Sequence, residues 1–403
     1  MHERPRILVI SGFFDWFSGY QEIGLVRALR KSADTYVLTG DQVNPIFKDA
    51  HIQALGLERR YQPGTTTEEG VTLLRLPVAE VRSMVWSPRA VRAVEARPFD
   101  HIIQVFPGHL LPLAASLART QARKSVLYGD NSAMYASLSP QAAALKFRIF
   151  SATKGRLYQF INRRADHLYG YTPETIRRLA PFSAGHEMEL LPLAYDDEVF
   201  SWSPALRREA RTELGIAEDE FTIIAPGKVQ PQKRFDALIE AALQHIRQGR
   251  KIRIVLAGLD RSSTSDDLRR HVRQSGFSEH FMLFEFTTAA RLNALFNASD
   301  LGVWPAMPAI TIQQAMGTGL RVALPTNDIV QHLIRNPSSG PVFEAGEDLT
   351  PKLFNVMASE AAVKALYASD ALREARCREN LWLSTAALAE RILTSPARTG
   401  WAT

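Results

Sequence analysis

Lys228 and Lys233 are the residues whose type and spacing point most directly to chemistry. They lie in PGKVQPQKRF, between the apolar run FTIIAPG and the amphipathic stretch RFDALIEAALQHIRQG. The pattern predicts strand, loop, then helix, with both ammonium groups beside a helix N-terminus, where unpaired N–H groups and the helix dipole already favour an anion. Such a pair would neutralise a diphosphate and stabilise it as a leaving group. Taken without context, the pair reads as two solvated surface lysines. Their position at the end of a buried strand favours the first reading.

Other residues qualify through their place in the pattern. In VWPAMPAITIQQAMGTG, Thr311 and Gln314 have capping-box spacing, and a capped start would present the amides of Ala309, Ile310 and Thr311 to a phosphate. His109 follows the strand-like HIIQVF through Pro107 and Gly108, which puts it near a strand C-terminus or leaves it a loop histidine satisfied by solvent. Asp130 in YGDNS could be an acceptor contact, a base, a helix N-cap or a turn residue. Gly19 could let the chain approach phosphates or could serve turn geometry. Over residues 140–165 cations interleave with Phe147, Ile149, Phe150, Leu157, Tyr158, Phe160 and Ile161. That segment could rest on anionic lipid, or its aromatics could pack inward beneath solvated arginines.

The elements that must hold these residues read as α/β. The 403 residues, 46% of them hydrophobic, suffice for two cores. The net charge of +6 is concentrated between Arg119 and Arg178, and no groove-reading or stacking motif accompanies it, so no nucleic-acid partner is expected. Cys377 is the single cysteine, which excludes a disulfide framework and a cysteine-based metal site and fits a reducing, cytoplasmic setting. The start, MHERPRILVISGFFDW, reads as a first strand rather than a cleaved leader. Strand-like runs alternate with helical ones in both halves, which predicts two doubly wound domains. The expected divisions are 1–194, a linker at 195–220, a second domain at 221–375, and a C-terminal helix and tail at 376–403 that could pack back across the domains. Trp382, Leu383 and Leu388 would form one apolar face of that closing helix. Ligands of such sheets bind outside the strand carboxyl ends, so a cleft between the domains, able to close over substrate, is the expected site.

PGKVQPQKRFDALIEAA resembles the segment G-R-L-x-x-x-K-G-x-x-x-L-I-x-A of family-4 glycosyltransferases with the GT-B fold. Lys228 stands where arginine is usual, and Lys233 matches the lysine. Further resemblances follow in family order: FSGYQEIGLVRAL to the N-terminal glycine loop, LPLAYDDEVFSW to the interdomain segment, LNALFNASDLGVWPA and QAMGTGLRVALPT to the late motifs. The resemblance implies transfer of a sugar from a UDP-, GDP- or dTDP-linked donor to a carbohydrate, lipid-linked or small-molecule acceptor, with retention, as in polysaccharide biosynthesis. It implies no metal and no cofactor beyond the nucleotide sugar as co-substrate. It assigns Lys228, Lys233 and His109 to catalysis. Gly19, Gly227, Phe286, Thr287, Ala309, Ile310, Thr311 and Gln314 fall to the donor, and Asp130 to the acceptor side. Two departures stand out. The family often has glutamates where this chain has Ala306 and Gln314, and a glycine where it has Glu285. Gln314 can still hydrogen-bond a ribose, whereas the Ala306 side chain offers neither donor nor acceptor. A catalytically silent relative that binds nucleotide sugar or a partner enzyme is therefore the alternative. A nucleotide-sugar epimerase of the same architecture lacks its expected acidic and histidine set here. Peripheral attachment at the inner face of a membrane is the expected refinement of a cytoplasmic location.

Overall fold

The computed structural model describes residues 4–18, 20–47, 49–54, 56–81, 83–130, 138–367 and 369–396. The chain divides into two compact units, Met1–Pro192 with Thr385–Thr403, and Leu193–Ser384.

In the first unit the strands are β1 (Arg6–Ile10), β2 (Asp34–Gly40), β3 (Gly64–Glu68), β4 (Val71–Leu76), β5 (Ala79–Val81), β6 (Met84–Trp86), β7 (His101–Val105), β8 (Arg123–Tyr128), β9 (His167–Gly170) and β10 (Met188–Leu190). Eight of them form one sheet in the order β10-β9-β8-β7-β1-β2-β4-β3, while β5 and β6 make a separate hairpin. Pairing in the sheet is parallel except for β3 against β4. Every residue of β7 is buried, as a strand covered on both faces requires. Helix Gln21–Leu29 follows β1 and buries eight of its nine residues. It can do so because helix Thr385–Thr394, from the far end of the chain, packs on it. A Cβ at Gly24 would lie 2.6 Å from Thr385 Cγ2, so the contact needs glycine there. The same C-terminal segment is anchored at the sheet by Arg123, which donates to the carbonyls of Leu393 and Ser395, and by Tyr169, whose hydroxyl meets Ser395 Oγ at 2.8 Å.

In the second unit the strands are β11 (Phe221–Pro226), β12 (Ile252–Leu259), β13 (Phe281–Glu285), β14 (Leu301–Val303), β15 (Arg321–Thr326) and β16 (Val342–Glu344), all parallel, in the order β13-β12-β11-β14-β15-β16. Alternate residues feed different cores. Phe221, Ile223 and Ala225 join Ile252, Ile254 and Leu256 on one face, and Ile224 joins Val255 and Ala257 on the other. Helix Phe235–Arg247 lies on the first face and buries Phe235, Leu238, Ile239, Ala242, Leu243 and Ile246, which recur every three or four residues along it.

Two segments differ from the sequence reading. The stretch 195–220, expected as a linker, is built into the second unit. Helix Pro204–Glu213, capped by the Ser203 hydroxyl, packs on helix Ala289–Ala298, and its Arg207 bonds Asp300 at 2.6 Å. The closing helical stretch is three pieces, Asp370–Glu379, a 3-10 turn Leu381–Leu383, and Thr385–Thr394. Leu383 belongs to a core of the second unit, whereas Leu388 falls in the first unit, so the expected single face is divided between the units. Apolar spacing gave helix but could not say which sheet each turn would cover.

Candidate functional site

Gly227 immediately follows β11 at a φ of 129°, a conformation that side-chain-bearing residues rarely adopt. Its N–H donates to Ala257 O at 2.8 Å, which ties it to β12. A Cβ on Gly227 would sit 2.5 Å from Lys233 Nζ, so glycine here is what allows the Lys233 side chain to fold back over the strand end. Lys233 lies on a 3-10 turn, Pro231–Lys233, and not in the following helix, which begins at Phe235 after Arg234 takes a left-handed conformation. Among the described residues neither Lys228 nor Lys233 makes an ion pair. Lys228 is exposed. Burial, and then the charge of Lys228, push the Lys233 ammonium down to about 8. A desolvated cation beside a second one, with no carboxylate, gains most from an anion.

The neighbouring strand carries the next group of candidates. After β14, which pairs with β11, the chain runs through Trp304 and Ala306 to the short helix Thr311–Gly317. The expected capping box is absent. Ile310 occupies the cap position with no side-chain bond, and Thr311 Oγ1 instead accepts the Trp304 indole N–H at 3.0 Å. A buried indole nitrogen needs an acceptor, and that need takes the hydroxyl away from the backbone. The main-chain carbonyl of Ile310 accepts from Gln314 N–H. Gln314 is buried and its Oε1 has no partner, so the amide can receive a hydrogen bond from a ligand. Ala306, Ala309 and Ile310 are half-buried along this segment.

At the end of β13, two strands from β11, Phe286 is 70% exposed and Thr287 half-buried, while the Glu285 carboxylate faces Arg269 at 3.8 Å. Strand spacing puts Phe286 roughly 10 Å from Gly227 along one carboxyl edge. This edge thus brings Phe286, Thr287, Gly227, Lys228, Lys233, Ala306, Ala309–Thr311 and Gln314 into one row. Sequence reasoning missed His332, in the turn after β15. Both its ring nitrogens are buried without partners, and burial, then Arg335, push it down to about 4. No local pattern marks a histidine of this kind.

In the first unit His109 ends the 3-10 turn Pro107–His109 after β7. Phe106 and Leu110 on either side both have positive φ, 49° and 68°. Such strain concentrates at binding sites. A Cβ on Gly12 would lie 2.6 Å from His109 Cβ, and one on Gly129 would lie 2.2 Å from the Phe106 ring, so both glycines make room for this turn. Phe13 meets the imidazole edge-on at 5.3 Å. The reading of His109 as satisfied by solvent fails at Nδ1, which is buried and unpartnered. Burial, then Lys154, push the ring down to about 4, so it is neutral at pH 7. Asp130 is half-buried just beyond β8; a cap role for it would involve the next residues, which lie outside those described. Gly19 also lies outside them.

A second feature here was not legible in the sequence. Glu22, 4% exposed in helix Gln21–Leu29, leaves Oε2 without a partner, and burial pushes its carboxyl up to about 7. Gln21 and the Tyr171 hydroxyl are likewise buried and unpartnered.

Among the described residues no cluster of histidine, cysteine and carboxylate side chains could hold a metal ion, and no helix is long and apolar enough to cross a membrane.

Comparisons with known proteins bear on the fold and the family. The chain is 26% identical over 247 residues to a D-inositol 3-phosphate glycosyltransferase of Nocardia farcinica, covering 53% of this chain and 55% of that protein. The match thus spans about half the relative's length. Among solved structures, a sucrose-phosphate synthase from Thermosynechococcus elongatus matches over 96% of this chain and 97% of its own, with a TM-score of 0.67 and 16% identity. Anabaena HepE, solved in complex with UDP, matches over 96% and 98%, with a TM-score of 0.68 and 16% identity. At such identities the structures speak for the fold. Residues 207–368, which include both lysines, Gln314 and the strands β11–β16, match the family described as Glycosyl transferases group 1, on a chain that resembles GT-B glycosyltransferases in its two Rossmann-like units.

Proposed function

We propose that this chain is a family-4-type glycosyltransferase that moves a sugar from a nucleotide diphosphate sugar to a carbohydrate, glycolipid or small-molecule acceptor with retention. The carrying observation is the Lys233 ammonium, folded over Gly227 beside Lys228 with no carboxylate to neutralise it. In the reaction the bond between the anomeric carbon and the diphosphate oxygen breaks, and its electron pair leaves with the nucleoside diphosphate. An acceptor hydroxyl bonds to the anomeric carbon and gives up its proton to the departing diphosphate oxygen or to solvent. Charge developing on the departing diphosphate is what Lys228 and Lys233 stabilise. Gln314 takes the ribose through its unpartnered amide oxygen, and Phe286 and Thr287 flank the base. His109 and Asp130 are the first unit's candidates for contact with the reacting sugars. HepE has been solved with UDP and with UDP-glucose, which supports a uridine donor as the first to try.

Calorimetry with UDP, GDP and dTDP tests the reading. Binding of at least one, weakened about thirtyfold in Lys233→Ala by loss of a charge-assisted contact of about 2 kcal/mol, is expected. Binding of none, or an unaltered affinity in Lys233→Ala, would overturn it. The second reading, a silent relative that still binds nucleotide sugar, is favoured by Ala306 in place of a sugar-reading glutamate. Transfer detected by mass analysis with pure protein eliminates it.

The cytoplasmic face of a membrane is the proposed location. Helix Pro140–Phe150 exposes Leu145 (59%) and Ile149 (58%) one turn apart, next to exposed Arg148, while Phe147 and Phe150 turn towards the core. Co-sedimentation with phosphatidylglycerol vesicles, lost in Leu145→Ser/Ile149→Ser, is the expected result. Equal recovery of wild type and variant would refute it.

A further inference from the structure

Between Pro140 and Asn162 the chain follows one helical path with a change of pitch in it. Helix Pro140–Phe150 passes into a π-helical turn, Ser151–Gly155, and then into helix Arg156–Asn162. Single π turns inside α-helices recur at functional sites. The hydroxyls of Ser151 and Thr153 donate to the carbonyls of Phe147 and Ile149, each at 2.7 Å, and hold the turn. It lies where the path is pressed against two other parts of the first unit. A Cβ on Gly155 would lie 2.4 Å from the Phe182 ring, and one on Gly108 would lie 2.7 Å from the Tyr158 hydroxyl. The two glycines thus bring the path against Pro107–His109, at the carboxyl end of β7, the edge at which such sheets bind ligands.

Lys154 is the residue that this packing puts at the strand end. Its side chain is half-buried, and its Nζ lies 3.4 Å from Gly108 O. That is a long contact to one neutral carbonyl, whereas an ammonium has three N–H groups to place. Among the described residues Lys154 makes no ion pair, and burial alone pushes its ammonium below the ordinary value. His109 feels its charge: burial, then Lys154, push the ring down to about 4, so the imidazole is neutral at pH 7. Among the described residues no carboxylate acts on either group. A half-desolvated cation beside a neutral imidazole is completed by an anion, which the ammonium neutralises and the imidazole contacts through an N–H.

We propose that Lys154 and His109 form a subsite in the first unit for an anionic substituent, a phosphate or a carboxylate, on one of the two sugars of the reaction. This rests on the transferase reading given above, in which Lys228 and Lys233 serve the nucleotide diphosphate and the first unit contacts the sugars.

Nuclear magnetic resonance of the full chain, labelled with carbon-13 at histidine Cε1, tests the subsite, with the His109 signal identified by its absence in His109→Gln. Inorganic phosphate or glucuronate, added at constant ionic strength, is expected to shift that signal saturably, and glucose is not. Half-saturation should rise about tenfold in Lys154→Met and stay unchanged in Lys228→Ala/Lys233→Ala. No saturable shift with either anion would overturn the proposal, as would an equal response in Lys154→Met or a response lost in the double lysine variant. Should Lys154→Met fail to fold, the wild-type response to the anions against glucose, with the double lysine variant beside it, decides the matter. Calorimetry with UDP, GDP and dTDP is a separate arm. Lys154→Met should leave nucleotide affinity as it is; a loss like that in Lys233→Ala would assign Lys154 to the diphosphate and refute the subsite. Absence of nucleotide binding in the wild type would instead overturn the transferase reading, with the phosphate response still deciding the subsite. Tighter binding of UDP-glucuronate than of UDP-glucose, lost in Lys154→Met, places the anion on the donor sugar. Equal binding, with the phosphate response retained, places it on the acceptor.

Discussion

Lys233 is a strong base weakened by its surroundings, and the sign of that weakening governs how a diphosphate binds. With the free ammonium at about 8, the unliganded protein loses this proton in mildly alkaline solution, whereas a bound diphosphate holds it. Nucleotide affinity is therefore expected to be level below pH 8 and to fall up to tenfold per unit above it, until the raised pKa of the complex is reached. Lys228→Ala removes one of the two causes of the depression, so the break in a calorimetric pH series should move to higher pH. Glu22 illustrates the opposite case. Burial pushes its carboxyl up to about 7 from an ordinary 4.5, so between those pH values the unfolded chain is ionised while the folded one is not. The unfolded state then binds fewer protons, and stability falls as pH rises through that window, by about 3 kcal/mol in total. In Glu22→Gln this decline in stability between pH 4.5 and 7, followed by urea unfolding, should largely disappear. The position of Lys233 was legible because strand, loop and helix follow one another locally. The burial of Glu22 was not, because a glutamate in a first helical turn ordinarily faces water.

Among the elements, the loop after β11 works through the glycine that follows the strand. In Gly227→Ala the new methyl would meet Lys233 Nζ, the flexible end of a side chain, so the fold survives while the ammonium is displaced. Backbone strain at a φ of 129° adds a cost of about 1–3 kcal/mol in stability. Nucleotide affinity should drop about as far as in Lys233→Ala, and the double variant should lose little more, a non-additivity that calorimetry can measure. The turn that carries His109 depends in the same way on Gly12 and Gly129, which lie far from it in sequence. The capping pattern at Thr311 shows where local reading stops. Its spacing was correct for a cap, but Trp304, seven residues earlier, claimed the hydroxyl.

For the whole molecule, the return of the chain at Thr385 makes the first unit depend on the last residues. Gly24→Ala is expected to lower Tm through overpacking against Thr385 Cγ2, at a cost of about 1–3 kcal/mol. Adding Thr385→Ser, which removes that methyl, should recover most of the loss. An unchanged Tm in Gly24→Ala would mean that the C-terminal helix is not seated as described. The second unit is completed by residues before its first strand, since helix Pro204–Glu213 supplies Arg207 and Arg211 to Asp300.

The alternation of strands and helices, the two sheets and the loop bearing Lys228 and Lys233 could all be read along the chain. Each follows from side-chain periodicity and from residues adjacent along the chain. Folding alone settles which charges are paired, that Thr311 serves an indole, that Glu22 is sealed from water, and that one closing helical stretch is divided between two units. These depend on burial, and burial is set by residues brought together from distant parts of the chain, whose desolvation and packing energies no local pattern records.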